Sequence, residues 1–103
     1  MKLVQDFLRF VDASPSPFHA VESAIRLLEI AGFVRIYEGD SWDSLTRGGK
    51  YFFTRNGSAL VSFAVGGRYS AGNGFAVVGA HTDSPCLKVF LTYIFMHNLN
   101  DIF

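Results

Sequence analysis

The sequence predicts an α/β fold in which two helices precede about three strands of an incomplete mixed sheet flanked by helices. Two observations support this order. Apolar residues recur at helical spacing in about the first thirty positions, and short runs rich in aromatic and β-branched residues follow residue 50. Helices followed by strands are typical of the beginning of an α/β or α+β domain, not of a complete doubly wound sheet.

The two helices are predicted by apolar stripes and by a break between them. The first stripe consists of Leu3, Val4, Phe7, Leu8 and Val11. Pro15 disfavours helical geometry at the residue before it, whereas Ser16 and Pro17 suit the cap and first position of a second helix. The face of that helix consists of Val21, Ala24, Ile25 and Leu28, and Gly32 is a natural stop signal.

The strands are predicted in three apolar runs. Residues 51–54 and 59–65 flank an Asn56-Gly57 pair, which favours a β-hairpin because both positions tolerate positive φ. Residues 33–49 are expected to connect the second helix to the hairpin, with Trp42 as a hydrophobic anchor. A turn at residues 72–74 precedes Phe75–Ala80, whose continuous apolar sequence predicts a strand buried on both faces.

Composition excludes several classes of function. The 103 residues include nine basic and nine acidic side chains, so there is no basic stripe for nucleic acid or for an anionic membrane. Charges interrupt the apolar N-terminus, which argues against a secretory signal. The single cysteine excludes an internal disulfide and weakly favours a reducing compartment.

His81 and Asp83 are the candidate functional residues, because they directly follow the predicted buried strand. Open α/β sheets bind ligands at the carboxyl ends of their strands. A neutral imidazole is a good metal ligand, and a nearby carboxylate can accept its other ring N–H. A His-x-Asp triplet alone is common, however, and most such triplets are surface or capping groups.

Four motifs favour the metal-site interpretation of His81 over a surface role, because their order and spacing resemble those of one family. They are Ser14–Ala20, Lys50–Asn56, Gly72–Phe75 and Gly79–Lys88. Over about Phe7 to Val89, they resemble the aspartyl aminopeptidase family of zinc metallopeptidases. A small unrelated binding domain would require all four agreements to be accidental.

The resemblance implies a cytoplasmic hydrolase that removes N-terminal Asp or Glu from peptides and forms large homo-oligomers. It also implies a zinc-exopeptidase-type catalytic domain with two zinc ions, in which His81 is a metal ligand and Asp83 supports the catalytic site. In the family, the other metal ligands and a Glu that acts as general base follow the matched region. The chain therefore supplies one apparent ligand and is expected to be inactive alone.

The resemblance ends after about Val89. Residues 1–89 are thus predicted to be the N-terminal part of the catalytic domain, and residues 90–103 a divergent apolar tail. We expect a fragment, such as an alternative or truncated product. The alternative interpretation is a non-catalytic interaction module that associates with full-length subunits.

Three further residues have simpler interpretations. His19 lies near the start of the second helix and is expected to satisfy local hydrogen bonds. Cys86 lacks a catalytic partner placed by any motif and is more typical of a small buried hydrophobe. His97 lies in the unmatched tail and is assigned no function.

The open strands and the apolar tail predict poor solubility for the chain, because unpaired edges of high β-propensity promote association. The measurement is size-exclusion chromatography with thermal unfolding at micromolar concentration. A sharp, cooperative transition of a monomer would contradict the expectation.

Overall fold

The computed structural model describes residues 1–85, and five regular elements lie in that range. Cys86, His97 and the predicted tail 90–103 lie outside the described residues. The elements are α1 (Lys2–Asp12), α2 (Pro17–Ile30), β1 (Val34–Arg35), β2 (Lys50–Arg55) and β3 (Ala59–Ala64). This order confirms the α/β class and the two predicted helices.

Helix α2 begins and ends at the predicted signals. Ser16 is its N-cap and accepts a hydrogen bond from the backbone N–H of His19 at 3.3 Å, while Pro17 takes the first helical position. Ser16 Oγ also lies 2.6 Å from His19 Nδ1, so this histidine has the local structural role expected of it. After the helix, Gly32 adopts a φ of 83°, a left-handed conformation that glycine reaches without a side-chain penalty.

Helix α1 forms as predicted, but its apolar stripe remains at the surface. Leu3 is 77% exposed and Phe7 63%, and no residue of α1 is buried. The connection to α2 is polar, since Ser14 Oγ donates to Ser23 Oγ at 3.3 Å. Among residues 1–85, neither helix has the length and hydropathy needed to cross a bilayer.

The sheet has the order β1-β2-β3, with β1 parallel and β3 antiparallel to β2. The hairpin prediction is confirmed: Asn56 and Gly57 have φ values of 54° and 66°, and Arg55 pairs with Ala59 across the turn. Strand β1 was not predicted, because two residues are too few to show a periodic pattern. The link at 36–49 provides the long crossover that a parallel pair requires.

A small core lies between α2 and one face of the sheet. Phe52 is fully buried, and Val21 and Ile25 of α2 pack against it. Three partly buried residues surround this cluster: Leu28, Phe33 and Leu60. The apolar face predicted for α2 is therefore the face that holds the helix on the sheet.

The opposite face of the sheet is covered by Trp42, which confirms its role as an anchor. Its ring centroid lies 5.4 Å from that of Phe53 and 6.1 Å from that of Phe63. The indole N–H donates to the carbonyl oxygen of Tyr37 at 3.0 Å, so its polar group is satisfied. The link thus packs on the sheet through one aromatic side chain.

The predicted strand at Phe75–Ala80 is wrong for this structure. These residues belong to neither helix nor strand and are exposed, with Val78 at 99%. A strand buried on both faces needs neighbouring strands at its edges and packed layers above and below it. Within residues 1–85, no strand pairs with this run, so its apolar sequence does not produce a strand.

We expect Phe52→Ala to destabilise the fold by about 3–5 kcal/mol, because it removes the side chain at the centre of the small core. Urea unfolding followed by circular dichroism measures the change. Phe75→Ala is the matched control, since Phe75 is 84% exposed. Equal loss of stability in the two variants would contradict the assigned core.

Candidate functional site

The candidate site begins where the exposed apolar run ends, and one hydrogen bond fixes its position. Thr82 Oγ1 donates to the carbonyl oxygen of Ser58 at 2.8 Å. Ser58 lies in the hairpin turn, directly before β3. The hairpin therefore holds the segment that carries His81 and Asp83 against the end of the sheet.

His81 and Asp83 contact each other directly, which their spacing alone did not guarantee. His81 Nδ1 lies 2.7 Å from the backbone carbonyl oxygen of Asp83 and 3.4 Å from its carboxylate Oδ1. Because a carbonyl oxygen only accepts, this hydrogen bond places the proton of a neutral imidazole on Nδ1. The lone pair is then on Nε2, which is the arrangement of a metal-ligating histidine whose other nitrogen is held by an oxygen.

Both side chains are open to solvent, with 82% of the His81 and 73% of the Asp83 side chain exposed. Water screens electrostatic contacts at this exposure, so the contact orients the ring more than it stabilises the fold. The site is thus accessible to a cation or to a further protein layer. The part of the chain that the structure describes does not enclose the pair.

The described residues do not contain a complete set of zinc ligands. Tetrahedral structural sites use four protein ligands and catalytic sites usually three. Within residues 1–85, no group of three or more His, Cys, Asp or Glu side chains is placed to hold a metal ion. The structure thus brings His81 and Asp83 together without a complete set of metal ligands among the described residues.

A second polar group, which the sequence did not reveal, lies at the same end of the hairpin. Arg55 Nη2 and Glu38 Oε1 are 2.7 Å apart, and Arg55 Nε also contacts both carboxylate oxygens. This carboxylate raises the pKa of Arg55 above its usual value, chiefly through the hydrogen bond. The pair borders a shallow concavity that is otherwise lined by Phe53, Ala59 and Val61.

No local sequence signal marks this ion pair or the contact of Thr82. Glu38 lies in the link before β2, whereas Arg55 ends that strand. Thr82 and Ser58 are likewise separated by the second strand of the hairpin and its following turns. Contacts of this kind depend on tertiary placement, which residue spacing does not reveal.

Residues 10–92 match the family model of the aminopeptidase I zinc metalloprotease, M18. Among curated proteins, the chain is 58% identical over 85 residues to aspartyl aminopeptidase of Aspergillus oryzae. It is 50% identical over 88 residues to a probable M18 family aminopeptidase 2 of Pseudomonas aeruginosa. These matches cover 82% and 85% of the chain but 17% and 20% of the relatives, so the chain spans about a fifth of their length.

Solved structures agree with the sequence comparisons. A structure described as the cryo-EM structure of the Ape4 and Nbr1 complex matches with a TM-score of 0.76 at 41% identity, over 78% of this chain and 15% of that chain. The mApe1 structure from Chaetomium thermophilum matches with a TM-score of 0.65 at 45% identity, over 68% of this chain and 16% of that one.

Sequence, fold and the motif at His81 all point to the same family, and the family model covers most of the chain. The expected resemblance is therefore confirmed. This chain belongs to the M18 family of aminopeptidase I zinc metalloproteases.

Proposed function

We propose that the chain supplies the N-terminal part of the catalytic domain of a zinc-dependent aspartyl aminopeptidase. That enzyme would hydrolyse the first peptide bond of substrates that begin with Asp or Glu. Relatives from Aspergillus oryzae and Dictyostelium discoideum, at 58% and 49% identity, carry the name aspartyl aminopeptidase. The observation that carries the proposal is the contact between His81 and Asp83 directly after an apolar run.

His81 would hold a zinc ion through Nε2, and Asp83 would keep the ring in the tautomer that leaves this nitrogen free. The donor set fits the metal, because zinc binds neutral imidazole nitrogen well and gains from an oxygen partner on the other ring nitrogen. When bound, zinc polarises the scissile carbonyl and lowers the pKa of a bound water. The role of the present residues is to bind and orient the ion, not to move the proton of that water.

The chain needs further groups for this chemistry. The described residues contain no third metal-binding side chain beside the pair. In our proposal, the second zinc ion, its ligands and the general base come from the part of an M18 domain that lies beyond the matched segment. Residues 1–89 would be catalytic-domain sequence and residues 90–103 a divergent tail.

The same proposal includes a cytoplasmic setting and a homo-oligomeric complete enzyme. One solved relative is described as the mApe1 dodecamer of yeast. It is 32% identical and covers 65% of this chain, but only 16% of that chain is matched. Assembly is therefore proposed for the complete enzyme that contains this segment.

We expect the purified chain to show no hydrolysis of peptides with N-terminal Asp or Glu, with zinc or manganese added. The physical reason is that one ligand, His81, cannot form the three-ligand site of a catalytic zinc. Release of the free amino acid measures the reaction. Turnover that disappeared in His81→Ala would contradict the expectation that the ligand set is incomplete.

A chimera tests the proposed aminopeptidase function directly. Residues 1–89 would replace the matched segment of the Aspergillus oryzae relative, and hydrolysis of N-terminal Asp peptides would be measured. His81→Ala should abolish hydrolysis. Asp83→Asn keeps the backbone carbonyl that contacts Nδ1 but removes the carboxylate charge beside the ring, and should lower kcat/KM about 10- to 100-fold.

His19→Ala is the matched control for the chimera, because His19 is exposed and contacts Ser16 at the helix cap. It should retain hydrolysis and bound zinc. Loss of bound zinc in His81→Ala, measured by elemental analysis of the folded chimera, separates a ligand from a residue needed only for folding. A chimera that hydrolyses its substrate equally well with His81→Ala would overturn the assignment.

A further inference from the structure

The hydroxyl group of Thr82 links the candidate metal site to the hairpin. Within residues 1–85, the bond from Thr82 Oγ1 to the carbonyl oxygen of Ser58 is the only hydrogen bond that joins residues 75–85 to the rest of the chain. It spans 24 residues of sequence and has a length of 2.8 Å. The hydrogen-bonded attachment of this segment to the hairpin is therefore a single hydroxyl group.

The acceptor of this bond lies in a well-defined turn. Asn56 and Gly57 have positive φ values of 54° and 66°, and the Ser58 N–H donates to the carbonyl oxygen of Arg55 at 3.3 Å. Helix α2 lies close by, since a Cβ atom added at Gly57 would be 3.5 Å from Cδ1 of Phe18. The Ser58 carbonyl is consequently a fixed point for the segment that Thr82 carries.

Thr82 lies between the two site residues, and its contact has a different consequence from theirs. The bond between His81 Nδ1 and the Asp83 carbonyl oxygen orients the ring within its own segment. That bond would persist if the whole segment moved away from the sheet, because both partners would move together. The Thr82 bond instead sets where the segment lies, and a metal site requires its ligands within about 0.5 Å of the binding geometry.

A direct role of Thr82 at the metal is disfavoured by the same bond. Its hydroxyl proton is directed at the Ser58 carbonyl oxygen, and zinc sites in proteins are built from Cys, His, Asp and Glu side chains. Groups that hold metal ligands in place act differently, and their loss typically lowers metal affinity or activity about 10- to 100-fold. Thr82 fits this second kind of residue.

We propose that Thr82 is a positioning residue for the zinc ligand His81, and that it acts by tying the His81 segment to the Ser58 carbonyl of the hairpin turn. This inference rests on the proposed function, and it adds the group that places the metal ligand in the domain. The turn at Asn56-Gly57 thereby contributes to metal affinity although its side chains supply no ligand in the proposed site.

The first test measures the attachment in the full 103-residue chain with a nitroxide spin label at residue 80, introduced as Ala80→Cys in a Cys86→Ser background. Thr82→Val keeps the branched shape but cannot donate a hydrogen bond, so the label should become more mobile and its spectral lines narrower. Thr82→Ser keeps the hydroxyl group and should retain the broader lines. Ser58→Ala leaves the backbone carbonyl in place and is the matched control. Identical spectra of Thr82→Val and the parent chain would overturn the proposed attachment.

The second test measures zinc affinity in the chimera of residues 1–89 with the Aspergillus oryzae relative, by titrating the metal-free protein with zinc. Thr82→Val should weaken zinc binding about 10- to 100-fold, because the ligand is no longer held in place. Thr82→Ser should restore most of the affinity. Circular dichroism checks that both variants are folded. Equal zinc affinity of the two variants would overturn the positioning role.

A double-mutant cycle shows whether the effect of Thr82 passes through the turn. Gly57→Ala places a side chain at a φ of 66° and therefore shifts the turn, which should weaken zinc binding when Thr82 is present. In Thr82→Val the attachment is already lost, so the same change should have little further effect. Independent, additive effects would indicate a direct role of Thr82 at the metal or a general loss of stability, and would overturn the proposal.

The positioning role and the aminopeptidase assignment fail separately. A chimera whose zinc affinity depends on Thr82, but which does not hydrolyse peptides with N-terminal Asp or Glu, removes the aminopeptidase assignment and leaves the positioning role. An active chimera whose zinc affinity is unchanged by Thr82→Val removes the positioning role and leaves the function.

Discussion

The packing of Phe52 beneath Val21 and Ile25 is the interaction on which the described structure depends. It joins α2 to β2, and the register of the hairpin then fixes the position of the turn at Ser58. The hydrogen bond from Thr82 to that turn places His81 and Asp83. The candidate site is thus connected to the core by a single hairpin.

The hairpin contributes side chains to both faces of the sheet, and the two faces are covered in different ways. The apolar side of α2 packs on one face. Trp42, which lies in the link at 36–49, packs on the other. The indole stacks near Phe53 and Phe63 and leaves room for the pair of Glu38 and Arg55 at the hairpin's end. The aromatic face is consequently only half-buried.

The parts that were predicted correctly from sequence are those determined by local chemistry. The cap at Ser16, the stop at Gly32 and the turn at Asn56-Gly57 each follow from the conformational preferences of a few adjacent residues. The strand at Phe75–Ala80 failed for the opposite reason. An apolar run indicates the environment a strand needs, but only neighbouring strands can supply that environment, and residues 1–85 do not supply them.

The candidate site likewise depends on both local and distant residues. The orientation of His81 is local, because Nδ1 is held by an oxygen two residues away and needs no tertiary partner. Metal affinity, by contrast, depends on distant residues. It increases with each added ligand and with the exclusion of water from the groups that hydrogen-bond to the ligands. Both side chains are more than two-thirds exposed, so the pair is oriented although it is not enclosed by the described residues. In the proposed function, enclosure of the apolar run and completion of the ligand set would both require further protein structure over the end of this hairpin.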